Sequence, residues 1–248
     1  MLALRPHLGN VVQDRAIRAV LLDLDDTITD RQATVRAYAP QFLCDFGDRF
    51  GLADPERVTA ELACIDRNGY NPERAHDLAA HPAWSASPGA AAITGHWDEH
   101  FVRCTQARPR VTATLDALAD AGLQLGVVTN GRTDPQRRKL ELLGLQQRFG
   151  AVLISQAFGH EKPDERIFRA AASELGVEPG QCMFIGDNPR KDVQAAAALG
   201  MRAVWFRATS PWPDDIAAPA ESIGSFPELL ALLEIQTSLL PNAKRLLS

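Results

Sequence analysis

The 248 residues carry 46% hydrophobic and 23% charged side chains, with a formal net charge of −5. That length and composition bury one large core plus a small satellite domain. The acidic balance excludes the basic footprint of a nucleic-acid polymer binder, and no apolar stretch is long enough to cross a bilayer. In chain order, the first predicted element is the apolar run Val20-Leu21-Leu22, which ends in Asp23-Leu24-Asp25-Asp26-Thr27. Such a run reads as a strand buried on both faces of a parallel sheet, whose carboxyl end is where ligands bind. Asp23 and Asp25, two apart on an extended chain, point the same way, whereas Asp26 falls between and reads as turn chemistry.

After Thr27 the strand–helix alternation stops. Helices are predicted over about 32–49, 54–66, 72–80 and 90–106, with breaks at Gly51–Pro55, Asn68–Pro72 and Ser85–Gly89. Alternation resumes near Pro109, with helices near 111–121, 135–143, 164–175, 189–199 and 227–235. Gly122, Gly144, Gly176 and Gly200 stand where helices should stop. Between them run Leu123–Val128 into Thr129-Asn130-Gly131, Ala151–Ile154 ahead of Lys162-Pro163, and Cys182–Ile185 into Gly186-Asp187-Asn188-Pro189-Arg190-Lys191-Asp192. A fifth strand ends at Trp205-Phe206. Ser210–Asp215 reads as a loop, and the tail after Gln236 as loosely held. Each strand delivers a polar group to one sheet edge: acids, a hydroxyl, an ammonium, then acids again.

Met1–His7 is too short and too soon interrupted for a secretory signal. Cys44, Cys64, Cys104 and Cys182 form no C-x-x-C pair. Buried thiols in a reduced, cytoplasmic protein are expected, and a disulfide framework is disfavoured.

Four acids at strand ends, Asp23, Asp25, Asp187 and Asp192, would repel one another unless a cation or a shared proton relieves them. Hard oxygen ligands of this kind suit Mg²⁺, with Asp23 and Asp187 as carboxylate ligands. Asn188 can cap the helix that follows and Pro189 fits its first position. Asp192 then lies in the first turn and leans back toward Asp187, to orient metal-bound water or Lys162; a helix-dipole acid with no further role stays open for it.

The set Asp23-Leu24-Asp25-Asp26-Thr27, Thr129, Lys162-Pro163 and Gly186-Asp187 with Asp192 resembles the four motifs of the haloacid dehalogenase (HAD) superfamily. The likeness extends to Ser155, Asp164, Ile167-Phe168 and Phe226–Leu230. It implies an α/β fold: a Rossmann-like parallel sheet flanked by helices, residues 1–30 and 108–248, with an inserted all-helical cap over 31–107. In the phosphatase branch the first acid, Asp23, is the nucleophile and the second, Asp25, the general acid/base. The resemblance adds the Asp25 carbonyl as a third metal ligand. The dehalogenase branch lacks the second acid.

Thr129, the Asn130 amide and Lys162 would then bind the phosphoryl oxygens, and Asp25 needs neighbours that raise its pKa to act first as an acid. The implied protein is a Mg²⁺-dependent phosphomonoester hydrolase, monomer or homodimer, acting on a small metabolite such as a nucleotide or sugar phosphate through an aspartyl-phosphate. A phosphomutase or a non-catalytic binding member are the alternatives. His96 and His100, one turn apart, lack a third zinc ligand in the sequence. Arg31, Arg36, Arg67 and Arg103 are candidate cap cations for the leaving group.

Overall fold

The computed structural model describes residues 16–69, 71–207 and 211–235, with the side chain of Asn68 left aside. Met1–His7, Tyr70, Ser210 and the tail after Gln236 lie outside these residues. Six strands form one parallel sheet: β1 (Ala19–Leu22), β2 (Gln124–Thr129), β3 (Ala151–Ile154), β4 (Cys182–Gly186), β5 (Arg202–Phe206) and β6 (Glu221–Ile223), in the order β3-β2-β1-β4-β5-β6. β1 pairs with β2 on one side and β4 on the other, with Leu22 opposite both Val127 and Ile185. The chain therefore leaves β1 and β4 in opposite directions, and the crevice beyond their carboxyl ends is where an open α/β sheet places its ligand.

The strand residues divide by parity between the two faces. Val20, Leu22, Val127 and Ile185 pack against α5 (Val111–Asp120) and α10 (Glu228–Leu232) through Leu115, Leu118, Leu229 and Leu230. On the other face Leu21, Val128 and Phe184 meet α8 (Glu165–Glu174) through Ile167, Phe168 and Ala171. Phe168 meets Phe184 edge-on with centroids 4.9 Å apart, a geometry worth about 1 kcal/mol beyond its buried area. β6 escapes the sequence reading because Glu221-Ser222-Ile223 is three residues long and one-third apolar.

Between β1 and β2 the chain forms α1 (Arg31–Phe46), α2 (Pro55–Asp66), α3 (Arg74–Ala79) and α4 (Ala90–His96). The last predicted helix, 90–106, is not continuous: beyond His96 it widens into a π-type turn over Trp97–Phe101 and tightens over Val102–Cys104. This insert has its own core, in which Tyr38, Phe42, Phe50, Leu62, Ile93 and Phe101 are buried together. Its two connections to the sheet run side by side: Thr29 pairs antiparallel with Ala107, and Asp30 N–H donates to Gln106 C=O at 2.8 Å. Among the described residues no helix is long and apolar enough to cross a membrane. All four cysteines are free, but only Cys182 is buried; Cys44 and Cys64 are exposed, which corrects the expectation of buried thiols. Both sit on outward faces of α1 and α2, where a small thiol has no neighbour to bury it.

Candidate active site

Beyond β1 the chain turns sharply. Asp23 N–H donates to Ile185 C=O at 2.9 Å, extending the ladder by one residue, and Thr29 N–H closes the loop onto Leu24 C=O at 2.9 Å. Asp26 takes the left-handed conformation, φ 62°, uncommon for a residue with a Cβ. Arg108 holds it there, donating from Nε and Nη2 to the Asp26 carbonyl at 3.2 and 3.0 Å. Burial lifts the Asp26 carboxyl to about 6. The turn leaves Asp23 and Asp25 on the cavity side; both line a cavity of ≈ 260 Å³ with Thr129, Lys162, Asp187 and Asp192.

Lys162 is the hub. Its Nζ lies 2.6 Å from Asp23 Oδ1 and 2.6 Å from Asp192 Oδ1, and all three side chains are buried. The two carboxylates hold its pKa above the ordinary lysine value although burial opposes that. Asn130 fixes the lysine from behind: its side-chain amide donates to Lys162 C=O at 2.9 Å and accepts from Lys162 N–H at 2.8 Å. The Asn130 side chain is therefore committed to Lys162, which leaves the backbone N–H as the phosphate donor to consider.

The last motif behaves as helix geometry dictates. Asn188 caps the turn by accepting from Arg190 and Lys191 N–H at 3.1 and 2.9 Å, and Pro189 sits at its first position. Asp192 leans back over Gly186, accepting from Asn188 N–H at 3.0 Å. A Cβ on Gly186 would stand 2.4 Å from Asp192 Oδ2, so only glycine admits the carboxylate there. Asp187 N–H donates to Thr27 Oγ1 at 3.1 Å, and Asp187 C=O accepts from Trp205 Nε1 at 3.0 Å.

Oxygens of Asp23, Asp187 and Asp192 lie within 4.8 Å of one another. One ammonium faces three buried carboxylates. The imbalance appears in their protonation: burial, then the neighbouring acids, push Asp187 up to about 9, and burial, offset in part by Lys162, pushes Asp23 up to about 7. The residues fit a hard divalent cation, which would supply the missing positive charge to oxygen-only ligands.

Asp25 behaves differently, and this corrects the sequence reading. The motif calls for neighbours that raise its pKa, but burial, which would do so, is outweighed by the Lys139 ammonium, with help from Arg31 and Gln136, and the carboxyl is held at about 2. Lys139 Nζ lies 2.6 and 2.9 Å from its two oxygens. Gln136 Nε2 donates to Asp25 Oδ2 at 2.9 Å and to Thr129 Oγ1 at 2.7 Å. Neither residue was singled out in the sequence, although a signal existed. On α6 (Thr133–Leu142) and its C-cap Leu143, positions 136, 140 and 143 follow the buried-face spacing, which places a glutamine where an apolar residue is expected.

Of the four cap arginines, Arg31 lines the cavity, and Asp66 clamps its Nη2 at 2.9 Å; Arg36, Arg67 and Arg103 are exposed. His96 and His100 gain the third neighbour the sequence did not offer: Asp45 comes within 4.8 Å. Both His96 nitrogens are engaged, Nδ1 with the Tyr38 hydroxyl at 2.6 Å and Nε2 with Asp45 at 2.9 Å. Tyr38, His96 and Asp45 form a hydrogen-bonded chain that ties α1 to the end of α4.

The model of the haloacid dehalogenase-like hydrolase family matches residues 17–200. The chain belongs to that family. Over 198 residues it is 33% identical to the glyceraldehyde 3-phosphate phosphatase of Methanopyrus kandleri, covering 77% of this chain and 84% of that protein. It is 37% identical over 180 residues to the phosphoserine phosphatase of Thermus thermophilus, covering 71% of this chain; the match spans 65% of that relative's length. The fold is shared with the magnesium-bound HAD-hydrolase YfnB of Bacillus subtilis: TM-score 0.72, 22% identity, 89% of this chain and all of the other. These curated relatives place the chain on the phosphatase side of the family.

Proposed function

We propose that this HAD-family chain is a Mg²⁺-dependent phosphomonoester hydrolase that works through an aspartyl-phosphate on Asp23. The observation that carries the reading is the buried Asp23 carboxylate held 2.6 Å from Lys162 at the mouth of β1, with a second acid, Asp25, two residues on.

Asp23 and Asp187, with the Asp25 carbonyl, would hold the ion. When bound, it offsets the carboxylates' charge and stabilises the charge that develops on the transferring phosphoryl group. Asp23 attacks phosphorus in line, and the bond to the leaving oxygen breaks. Thr129 Oγ1, the Asn130 N–H and Lys162 donate to the non-bridging oxygens, where charge accumulates. Asp192 keeps Lys162 in place.

Asp25 hands a proton to the leaving oxygen and then takes one from the attacking water. Its low resting pKa keeps it ionised, the form the second task needs, but makes it a weak base. For the first, the arriving phosphate brings negative charge that opposes the pull of Lys139 and favours the protonated form.

The insert over 31–107 serves as a cap that limits substrate size. Its exposed Asp98 pairs with Arg132, in the loop after β2, through Arg132 Nη1 at 3.1 Å. A cavity of ≈ 260 Å³ fits a compact phosphorylated metabolite. Sugar phosphates, nucleotides and the three-carbon phosphates named for the relatives are the compounds to try. The free cysteines accord with a reducing, cytoplasmic setting.

The test is phosphate release from a panel of phosphomonoesters, with Mg²⁺ or with chelator, for the wild type and Asp23→Asn. Release that needs Mg²⁺ and disappears in Asp23→Asn is expected. Equal release with chelator, or from Asp23→Asn, would overturn the reading, and isomer formation in place of free phosphate would make the protein a mutase.

A further inference from the structure

α6 starts just after the Thr129-Asn130-Gly131 turn and carries Gln136 and Lys139 one turn apart, 2% and 8% exposed. Both reach the same carboxylate. Asp25 accepts from Lys139 on both oxygens, from Gln136 on Oδ2, and from Thr29 Oγ1 on Oδ1 at 3.3 Å. Three donors making four contacts to two oxygens leave the carboxylate no freedom to rotate.

The Gln136 amide has its orientation fixed by what it faces. Its nitrogen lies beside the Asp25 carboxylate, the Asn130 carbonyl (3.2 Å) and Thr129 Oγ1. Carboxylate and carbonyl only accept, so the NH₂ end must point this way. The Thr129 oxygen therefore accepts from Gln136, and its own hydrogen is left to donate. Among the described residues that hydrogen reaches only the Asn130 carbonyl, at 3.3 Å. A phosphoryl oxygen, which can only accept, requires a Thr129 polarised in this sense.

Stability does not call for the arrangement. A buried ion pair is often no more stabilising than apolar side chains of the same volume, and α6 already anchors to the sheet through Leu140. A buried amide and ammonium that converge on one acid and one hydroxyl have a use in the reaction.

We propose that Gln136 and Lys139 are positioning residues that lock the acid–base carboxylate of Asp25 and, through Gln136, set the Thr129 hydroxyl as a donor to the phosphoryl group; this rests on the phosphatase reading above. Gln136 is then the link between binding and chemistry, whereas Lys139 acts on Asp25 alone.

Steady-state kinetics on a phosphomonoester turned over by the wild type would test this, using Gln136→Met, Lys139→Met and the conservative Lys139→Arg. Misplacing a catalytic group costs about a hundredfold in rate. Lys139→Met should lower kcat by about that factor with KM little changed, and Lys139→Arg should recover most of the loss. Gln136→Met should both lower kcat and raise KM. In a Thr129→Val background it should add no further rise in KM, because the hydroxyl it orients is gone.

Folded variants with kcat and KM close to wild type would overturn the proposal. So would a KM effect of Gln136→Met that persists undiminished in Thr129→Val. If Gln136→Met does not fold, Gln136→Ala, which removes both donors and adds no charge, replaces it with the same expected outcome. A wild type that releases no phosphate removes the phosphatase reading and the proposal with it; an active wild type with indifferent variants removes the proposal alone.

Discussion

Asp187→Asn should make the metal-free protein more stable and the enzyme inactive. Asp187 is 5% exposed, and burial with the charges of Asp23, Asp192 and Asp26 raises its carboxyl to about 9 against 3.8 ordinarily. A carboxyl whose folded pKa is raised binds its proton more tightly when folded. Its contribution to stability is fully present below pH 3.8 and is lost as pH rises through the window up to about 9. At pH 7 about three pH units of that window have been crossed, at about 1.4 kcal/mol each, a ceiling of about 4 kcal/mol.

Asparagine is neutral without holding a proton and escapes this cost, so most of the ceiling, ~3 kcal/mol, should be recovered, or ~6–12 °C in Tm for a chain of this size. Thermal melts of both proteins in chelator between pH 5 and pH 9 would measure it. The variant should melt higher at neutral pH, with the gap narrowing toward pH 5. Saturating Mg²⁺ should raise the wild type, by about 2.7 kcal/mol at a hundred times Kd, and the variant far less. A variant that melts at or below the wild type in chelator, together with a wild type indifferent to Mg²⁺, would refute the idea that the three acids await a cation.

Three further outcomes are expected. Gly186→Ala puts a Cβ 2.4 Å from Asp192 Oδ2; it should displace Asp192 from Lys162 and cost about a hundredfold in kcat, and normal turnover would mean that Asp192 does not hold the lysine. Asp66→Asn strips the buried Arg31 of its bidentate partner and should destabilise by about 3–5 kcal/mol in chemical denaturation; a change under about 1 kcal/mol would show that the pair carries little. Asp98→Asn breaks the exposed pair with Arg132, worth at most about 1 kcal/mol; it should raise KM by less than about fivefold and blunt its salt dependence, and an unaltered salt response would remove the pair from substrate binding.

The catalytic edge was legible because each buried strand is an apolar run that ends abruptly in polar residues. β1 into Asp23, β2 into Thr129 and β4 into Asp187 announce themselves this way. Asp192 could be placed from helix geometry alone, since Asn188 and Pro189 fix where the turn begins. Lys139 could not, because a lysine on a helix rich in arginine looks like a solvated face until Asp25, 114 positions away, is brought against it. The same long-range contact reversed the pKa expected for Asp25. Asp66 and Arg31 were hidden in the same way, 35 residues apart, their pairing set by how α1 and α2 pack. The end of the predicted 90–106 helix was missed because its residues suit a helix locally, whereas the widened turn falls where Trp97 and Phe101 enter the insert's core.

The most direct test of an aspartyl-phosphate on Asp23 is to quench the enzyme in acid during turnover of a radiolabelled phosphomonoester with Mg²⁺, then map the label by peptide. Label on the peptide containing Asp23, absent in Asp23→Asn and accumulating when Asp25→Asn slows its hydrolysis, is the expected result. Steady phosphate release with no label on the protein at any time, or label on another residue, would contradict it.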